Sequence, residues 1–178
     1  LLNCLVSKEN KLKFVSGFTP PVFYSLFSNT NDCPLNLDCY KNFKGAREKA
    51  ILQNKPILID FTGWACVNCR RVEENIWSNP EVYDILKNKF IISSLYVDDR
   101  KKLSPDESFN FKFPDGSIKK IRTIGEKWST FQLQNFNSAS QPYYIMIHPN
   151  GRILNYPIQY TSSVNKYRNW LNKGLDSY

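Results

Sequence analysis

A short apolar run, Ile57-Leu58-Ile59-Asp60-Phe61, is interrupted by one acid and followed within five residues by Cys66-Val67-Asn68-Cys69, which leads into a helix-like stretch from Arg70 to Trp77. A buried strand, a short turn holding two cysteines and then a helix is the order that dithiol redox chemistry needs. The strand fixes the turn against the core, and the helix start offers unpaired backbone N–H groups and a partial positive charge to the first sulfur. Cys66 is therefore expected to be the thiolate nucleophile. Cys69, one turn further in, is expected to resolve the mixed disulfide formed at Cys66.

Two acids belong to the same reading. Alternation along the strand puts Asp60 on the face with Leu58, opposite Ile57, Ile59 and Phe61. An acid there needs a partner or stays protonated, so its pKa is expected to be raised and it can accept a proton from Cys69. A surface-edge aspartate is the alternative. Glu73 lies four residues after Cys69 and seven after Cys66, which places all three on one helix face. An ordinary solvated helix acid fits that spacing too.

Competing chemistries are weaker. A Cys4 zinc site would recruit Cys33 and Cys39, whose separation is wider than usual knuckle spacing, and His148 is the single histidine, so no metal and no cofactor are expected. His148 as the base of a cysteine hydrolase fails on distance. It lies six residues along a strand from Pro142, roughly 20 Å at strand rise.

With 178 residues and 42% hydrophobic residues, the chain can bury one substantial core. One domain at 41–178 is expected, preceded by a linker or N-terminal extension at 1–40. The net charge of +8 is spread along the chain and interleaved with acids rather than gathered into a stripe, so no nucleic-acid partner is expected. No stretch approaches the roughly 20 apolar residues of a membrane span, and the segment is expected to be soluble. Its start at Leu1, with neither initiator Met nor a tripartite signal, reads as part of something longer. Five cysteines leave one over: Cys66 with Cys69 and Cys33 with Cys39 are the natural local pairs, the second a structural loop, and Cys4 remains.

Along the chain, helical spacing at 40–54 precedes the strand at 57–61. Ser78-Asn79-Pro80-Glu81 supplies a cap, a first-turn proline and an acid for a helix at 80–89. A second strand at 90–97 is then parallel to the first. Residues 98–127 form a polar excursion carrying a hairpin about Phe113-Pro114-Asp115-Gly116-Ser117. A helix at 125–135, a strand at 142–148, a fourth strand at 152–156 and an amphipathic helix at 162–175 complete the pattern.

This order resembles the thioredoxin fold, an α/β architecture with a central mixed sheet flanked by helices, here with an N-terminal extension and a hairpin insertion. The resemblance narrows on four strings: Leu58 to Arg70 around the dithiol, Trp77-Ser78-Asn79-Pro80-Glu81-Val82, Leu95-Tyr96-Val97-Asp98-Asp99, and Gln141-Pro142-Tyr143-Tyr144. Together they resemble the C-terminal, periplasm-facing domain of transmembrane thiol:disulfide interchange proteins of the DsbD type, in a form common among Bacteroidetes-like bacteria. The resemblance implies a protein-disulfide reductase at the periplasmic face of the inner membrane. Its electron donor would be a membrane-embedded cysteine domain of the same protein, and its acceptor a periplasmic thioredoxin-fold or N-terminal domain. It also implies that Asp60 and Glu73 tune the cysteines. A cis peptide bond before Pro142 would free the Gln141 backbone for an incoming peptide, with Trp64, Val67 and Asn68 completing the substrate surface. Val67-Asn68 stands where thioredoxin has Gly-Pro, and Ala65 where it has Trp, so the reduction potential does not carry over. The other functional classes open to the sequence are a non-catalytic binding or scaffold module and a stand-alone periplasmic reductase for cytochrome c maturation.

Overall fold

The structure, a computed structural model, describes residues 33–113 and 115–178. Its main sheet has the order β1-β3-β2-β6, built from β1 (Cys39–Tyr40), β2 (Ile57–Thr62), β3 (Ile91–Tyr96) and β6 (Tyr143–Ile147). β1, β3 and β2 run parallel, and β6 runs antiparallel to β2. Every residue of β2, β3 and β6 is buried. That is why these strands read as continuous apolar runs rather than as an alternation with solvent: helices cover both faces.

The pleat sends each strand's residues alternately into two cores. Leu58, Ile92, Tyr144 and Met146 face Val72, Ile76, Trp77, Leu86, Tyr167 and Leu171, which come from α2 (Val67–Val72), the π-helical turn Glu73–Trp77, α3 (Pro80–Lys89) and α5 (Val164–Asp176). On the other face Ile57, Ile59, Phe61, Leu95 and Ile145 meet Ala46 and Ala50 of α1 (Phe43–Gln53) and Trp128 of α4 (Ile124–Phe136). The two fully buried alanines let α1 lie close on the sheet. Local chemistry sets the helix ends. Asn42 accepts from the Gly45 N–H and starts α1, while Asn54 closes it in the left-handed conformation. Asn79 accepts from the Glu81 and Val82 N–H groups, with Pro80 at the first helical position of α3. Thr123 and Glu126 form a capping box on α4.

Three features differ from the sequence expectation. Residues 33–40, assigned there to the extension, are packed into the domain: Cys33 and Cys39 form a disulfide around the turn Pro34–Asn36, Leu37 is 1% exposed in the core, and Cys39–Tyr40 is an edge strand. Burying Leu37 to that extent is worth about 1.5–3 kcal/mol. The remainder of the extension, 1–32, and Cys4 with it, lie outside the described residues. The expected fourth strand at 152–156 is not a strand. Ile153 and Ile158 instead make isolated bridges to Ile147 and Tyr144. Pro157 has no N–H to give, and the buried Asn155 turns its side chain to the Trp170 carbonyl and the Tyr156 N–H, so the ladder breaks between the two bridges. Finally, the helix after the dithiol widens into the π turn at Glu73 rather than continuing as α.

The excursion carries a separate two-stranded sheet, β4 (Phe109–Lys112) with β5 (Ile118–Ile121). Its two ends are pinned together: Leu103 N–H donates to the Arg122 carbonyl, Ile124 N–H to that of Lys101, and Gly125 N–H to that of Asp99. Gly125 is required there, since a Cβ would sit 2.6 Å from the Asp99 nitrogen and 2.7 Å from the Val97 oxygen. Among the described residues no helix is long and apolar enough to cross a membrane.

Candidate active site

β2 ends at Thr62, and the chain turns through Gly63-Trp64-Ala65 into α2. One carboxylate shapes this loop: Asp98 accepts the Trp64 N–H at 2.8 Å with Oδ1 and the Ala65 N–H at 3.0 Å with Oδ2. Gly63 leaves room for it. A Cβ at that position would lie 2.9 Å from both Asp98 Oδ2 and Gln141 Oε1, so the loop, the start of the excursion and the Gln141 side chain meet there.

Cys66 is the N-cap of α2, and its Sγ accepts the Cys69 N–H at 3.2 Å. The two sulfurs form a disulfide with Cα atoms 5.2 Å apart. Cys66 is half-buried, Asn68 is exposed, and Cys69 is 1% exposed. A partner can therefore reach one sulfur only. In the reduced form the Cys69 N–H favours thiolate at Cys66, since a backbone donor aimed at sulfur stabilises its charged state.

The Gln141-Pro142 peptide bond is cis. Pairing of Phe61 with Tyr143 between β2 and β6 brings this dipeptide alongside the loop that precedes Cys66. Pro142 is buried and Gln141 half-buried. Trp64 stacks on Tyr96 with ring centroids 4.0 Å apart, and the Lys41 Nζ lies 5.2 Å from the Trp64 ring centre. The structure thus gathers Trp64, Cys66, Val67, Asn68, Gln141 and Pro142 at one end of the sheet. His148 is at the other end, next to Ile147, which pairs with the first residue of β2, and it stacks on Tyr178.

Both acids singled out in the sequence are interior. Asp60 is 2% exposed, which rules out a sheet-edge aspartate, and Glu73 is 7% exposed, which rules out a solvated one. Burial pushes the Asp60 carboxyl up to about 7, against the pull of Arg70 and of a 3.3 Å hydrogen bond from the Ser94 hydroxyl. Oδ1 of Asp60 has no hydrogen-bond partner. Burial likewise pushes Glu73 up to about 8, Arg70 opposing and the charges of Asp60 and Glu74 adding to the rise. Near neutral pH this pair is poised between holding and releasing a proton, which is the property a proton acceptor for a thiol requires.

Sequence reasoning gave no role to Arg70 or Asp98. Arg70 directly follows Cys69, and a basic residue on a helix beside acids reads as surface; in fact it is 4% exposed. The readable signal was its spacing from Glu73, three residues on along the helix that follows the dithiol. Among the described residues no group of three or more His, Cys, Asp or Glu side chains is placed to hold a metal ion, and Cys33 and Cys39 are bonded to each other.

Residues 38–114 match the sequence model of a thioredoxin-like family. The solution structure of a thioredoxin from Thermus thermophilus superposes with a TM-score of 0.54 at 15% identity, covering 77% of this chain and 85% of that one. This is a thioredoxin fold. DsbH oxidoreductase gives a TM-score of 0.52 at 17% identity over 83% of this chain and 95% of its own. The C-terminal domain of Neisseria meningitidis DsbD, in the reduced form, gives 0.48 at 15% identity over 74% and 92%. No curated protein sequence matches the chain significantly. On this thioredoxin fold the Cys66-Cys69 pair occupies the first strand-to-helix turn of the β2-α2-α3-β3 unit, and the cis proline opens β6.

Proposed function

We propose that this domain is a protein-disulfide reductase that relays reducing equivalents from a dithiol in a membrane-embedded domain of the same protein to disulfide acceptors in the periplasm. The observation that carries the reading is the Cys66-Cys69 disulfide, with its first sulfur accessible at a helix start and its second buried. In the reduced domain, the Cys66 thiolate attacks an acceptor disulfide, forming a mixed disulfide and expelling one acceptor thiolate. Cys69 then loses its proton and attacks the Cys66 sulfur, expelling the second acceptor thiol and closing Cys66-Cys69. Two electrons and two protons pass to the acceptor, and the donor dithiol restores them by the reverse exchange.

Asp60 serves as proton acceptor for Cys69, and Glu73 shares that duty through their mutual charge. Gln141, freed of helix and strand pairing before the cis proline, offers backbone groups to an extended acceptor segment, and Trp64, Val67 and Asn68 border it. A periplasmic setting is supported by the second disulfide, Cys33-Cys39, with Cys33 buried and Cys39 half-buried, because structural bridges persist in an oxidising compartment. The test is trapping with Cys69→Ala in envelope extracts: acceptors should be held on Cys66 as mixed disulfides that reductant releases. Recovery of no disulfide-linked partner, with Cys66 free and reactive, would refute the relay.

A further inference from the structure

The guanidinium of Arg70 is a charge that the exchange scheme has not used. Arginine stays protonated in proteins, so burying it costs several kcal/mol unless its partners are close and charged. Nη1 lies 2.7 Å from Glu73 Oε2, an ion pair whose direction falls outside hydrogen-bond geometry. Nη2 donates to Thr62 Oγ1 at 3.1 Å. Thr62 is the last residue of β2, and Glu73 opens the π turn beyond α2. One side chain therefore ties the strand that precedes the dithiol to the helix that follows it. Arg70 is also four residues after Cys66 and three before Glu73, the spacing that sets all three on one helical face.

The charged and titratable groups around this cation come from every neighbouring element. β2 brings Asp60, the π turn Glu73 and Glu74, β3 Tyr96, and β6 Tyr144. From α5, Tyr167 feels the Asp60 charge. In this set of described residues the cation is Arg70. Without it, only the Ser94 hydroxyl on Asp60 favours an ionised form in this pair of interior carboxyls, and both would hold their protons to higher pH.

We propose that Arg70 is a positioning residue for disulfide exchange: it ties Glu73 to Thr62 at the end of β2 and, as the cation beside Asp60 and Glu73, keeps a proton acceptor available to Cys69 near neutral pH. This rests on the oxidoreductase reading. The step it serves is resolution, in which the Cys69 proton passes to the carboxyl pair, the Cys69 sulfur bonds to Cys66, and the acceptor sulfur leaves with the bonding electrons and is then protonated.

The experiment follows turnover of the reduced domain with oxidised glutathione from about pH 5 to about pH 9.5, in wild type, Arg70→Met and Arg70→Lys. The Cys69→Ala background isolates attack by Cys66. Arg70→Met should move the midpoint of the turnover profile upward by about one pH unit, the lower end of what a neighbouring opposite charge contributes. The rate should recover at high pH, Arg70→Lys should restore most of the shift, and the profile in Cys69→Ala should not move. Thr62→Val keeps both charges and removes only the anchor, so it should shift the midpoint in the same direction by less, and it carries the test if Arg70→Met does not fold. A uniform loss of rate with an unmoved midpoint, or an equal shift in the Cys69→Ala background, would overturn the proposal while leaving the reductase intact. Failure of wild type to exchange at all would overturn both.

Discussion

Replacing Asp60 by asparagine should change how the stability of this domain depends on pH, and the size of the effect follows from burial. The carboxyl is held at about 7 against an ordinary value of 3.8, chiefly because charging it in the interior is costly. The folded state therefore binds this proton more tightly than the unfolded chain does. Its contribution to stability is complete below about pH 4 and is lost as pH rises through about 7. A rise of about three units corresponds to ~4 kcal/mol across the whole window, and about two of those units, ~3 kcal/mol, fall between pH 5 and pH 8.5. An asparagine side chain cannot ionise, so that loss disappears in the variant. Glu73 titrates in both proteins, so the difference between them leaves the Asp60 contribution together with its coupling to Glu73. Urea unfolding of the oxidised domain at about pH 5 and about pH 8.5 should show Asp60→Asn gaining ~3 kcal/mol on wild type between the two, or about 6–12 °C in Tm for a chain of this size. Stability curves that run parallel across this range would show that Asp60 does not change its charge there, and the proton-acceptor role would fall with it.

Other consequences are open to simpler tests. Removing the Cys33-Cys39 bridge as Cys33→Ala/Cys39→Ala should cost about 2 kcal/mol in urea unfolding, from closure of a loop of about seven residues, with glutathione exchange at Cys66 retained. Gly125→Ala forces a methyl against the backbone of Val97 and Asp99 and should cost at least about 1–3 kcal/mol, read as a lower urea midpoint. Gly63→Ala meets only the ends of the Asp98 and Gln141 side chains, so its effect should fall on function: displacing Asp98 from the Trp64 and Ala65 N–H groups should slow exchange more than it lowers Tm.

The sequence made β2 legible because a strand covered on both faces is an unbroken apolar run, and Asp60 stood out as the exception within it. Cys66 and Cys69 were legible because few residue types serve those positions, and the cis Gln141-Pro142 bond through the resemblance to a fold that sets such a proline beside its dithiol. Glu73 could be placed on the right helix face, but its burial depends on what packs above that face, and spacing carries no information about that. Arg70 was hidden for the same reason. Its interior position follows from Thr62 and Glu73 together, one on the strand before the dithiol and the other on the helix after it. The two-residue strand Cys39–Tyr40 is too short to show any period, and it exists because β3 offers an edge and a disulfide holds the chain there. At 152–156 the pattern suggested a ladder that Pro157 and Asn155 interrupt. The π turn at Glu73–Trp77 has no marker in the residues themselves.

The fastened base of the 98–127 excursion bears on how such a domain can be altered. Asp99, Lys101 and Leu103 are already bonded to Gly125, Ile124 and Arg122, so the distance between the ends of the excursion is set before the hairpin begins. Lengthening, trimming or exchanging the outer part of the hairpin, short of the buried Ile121 and of Glu107 and Lys119, which pair with Lys127 and Glu126 of α4, changes a loop whose closure is already secured, and the entropy of closing it varies slowly with length. The outer hairpin is in that sense a detachable part. Asp98, one residue outside the fastening, stays with the dithiol loop whichever part is fitted.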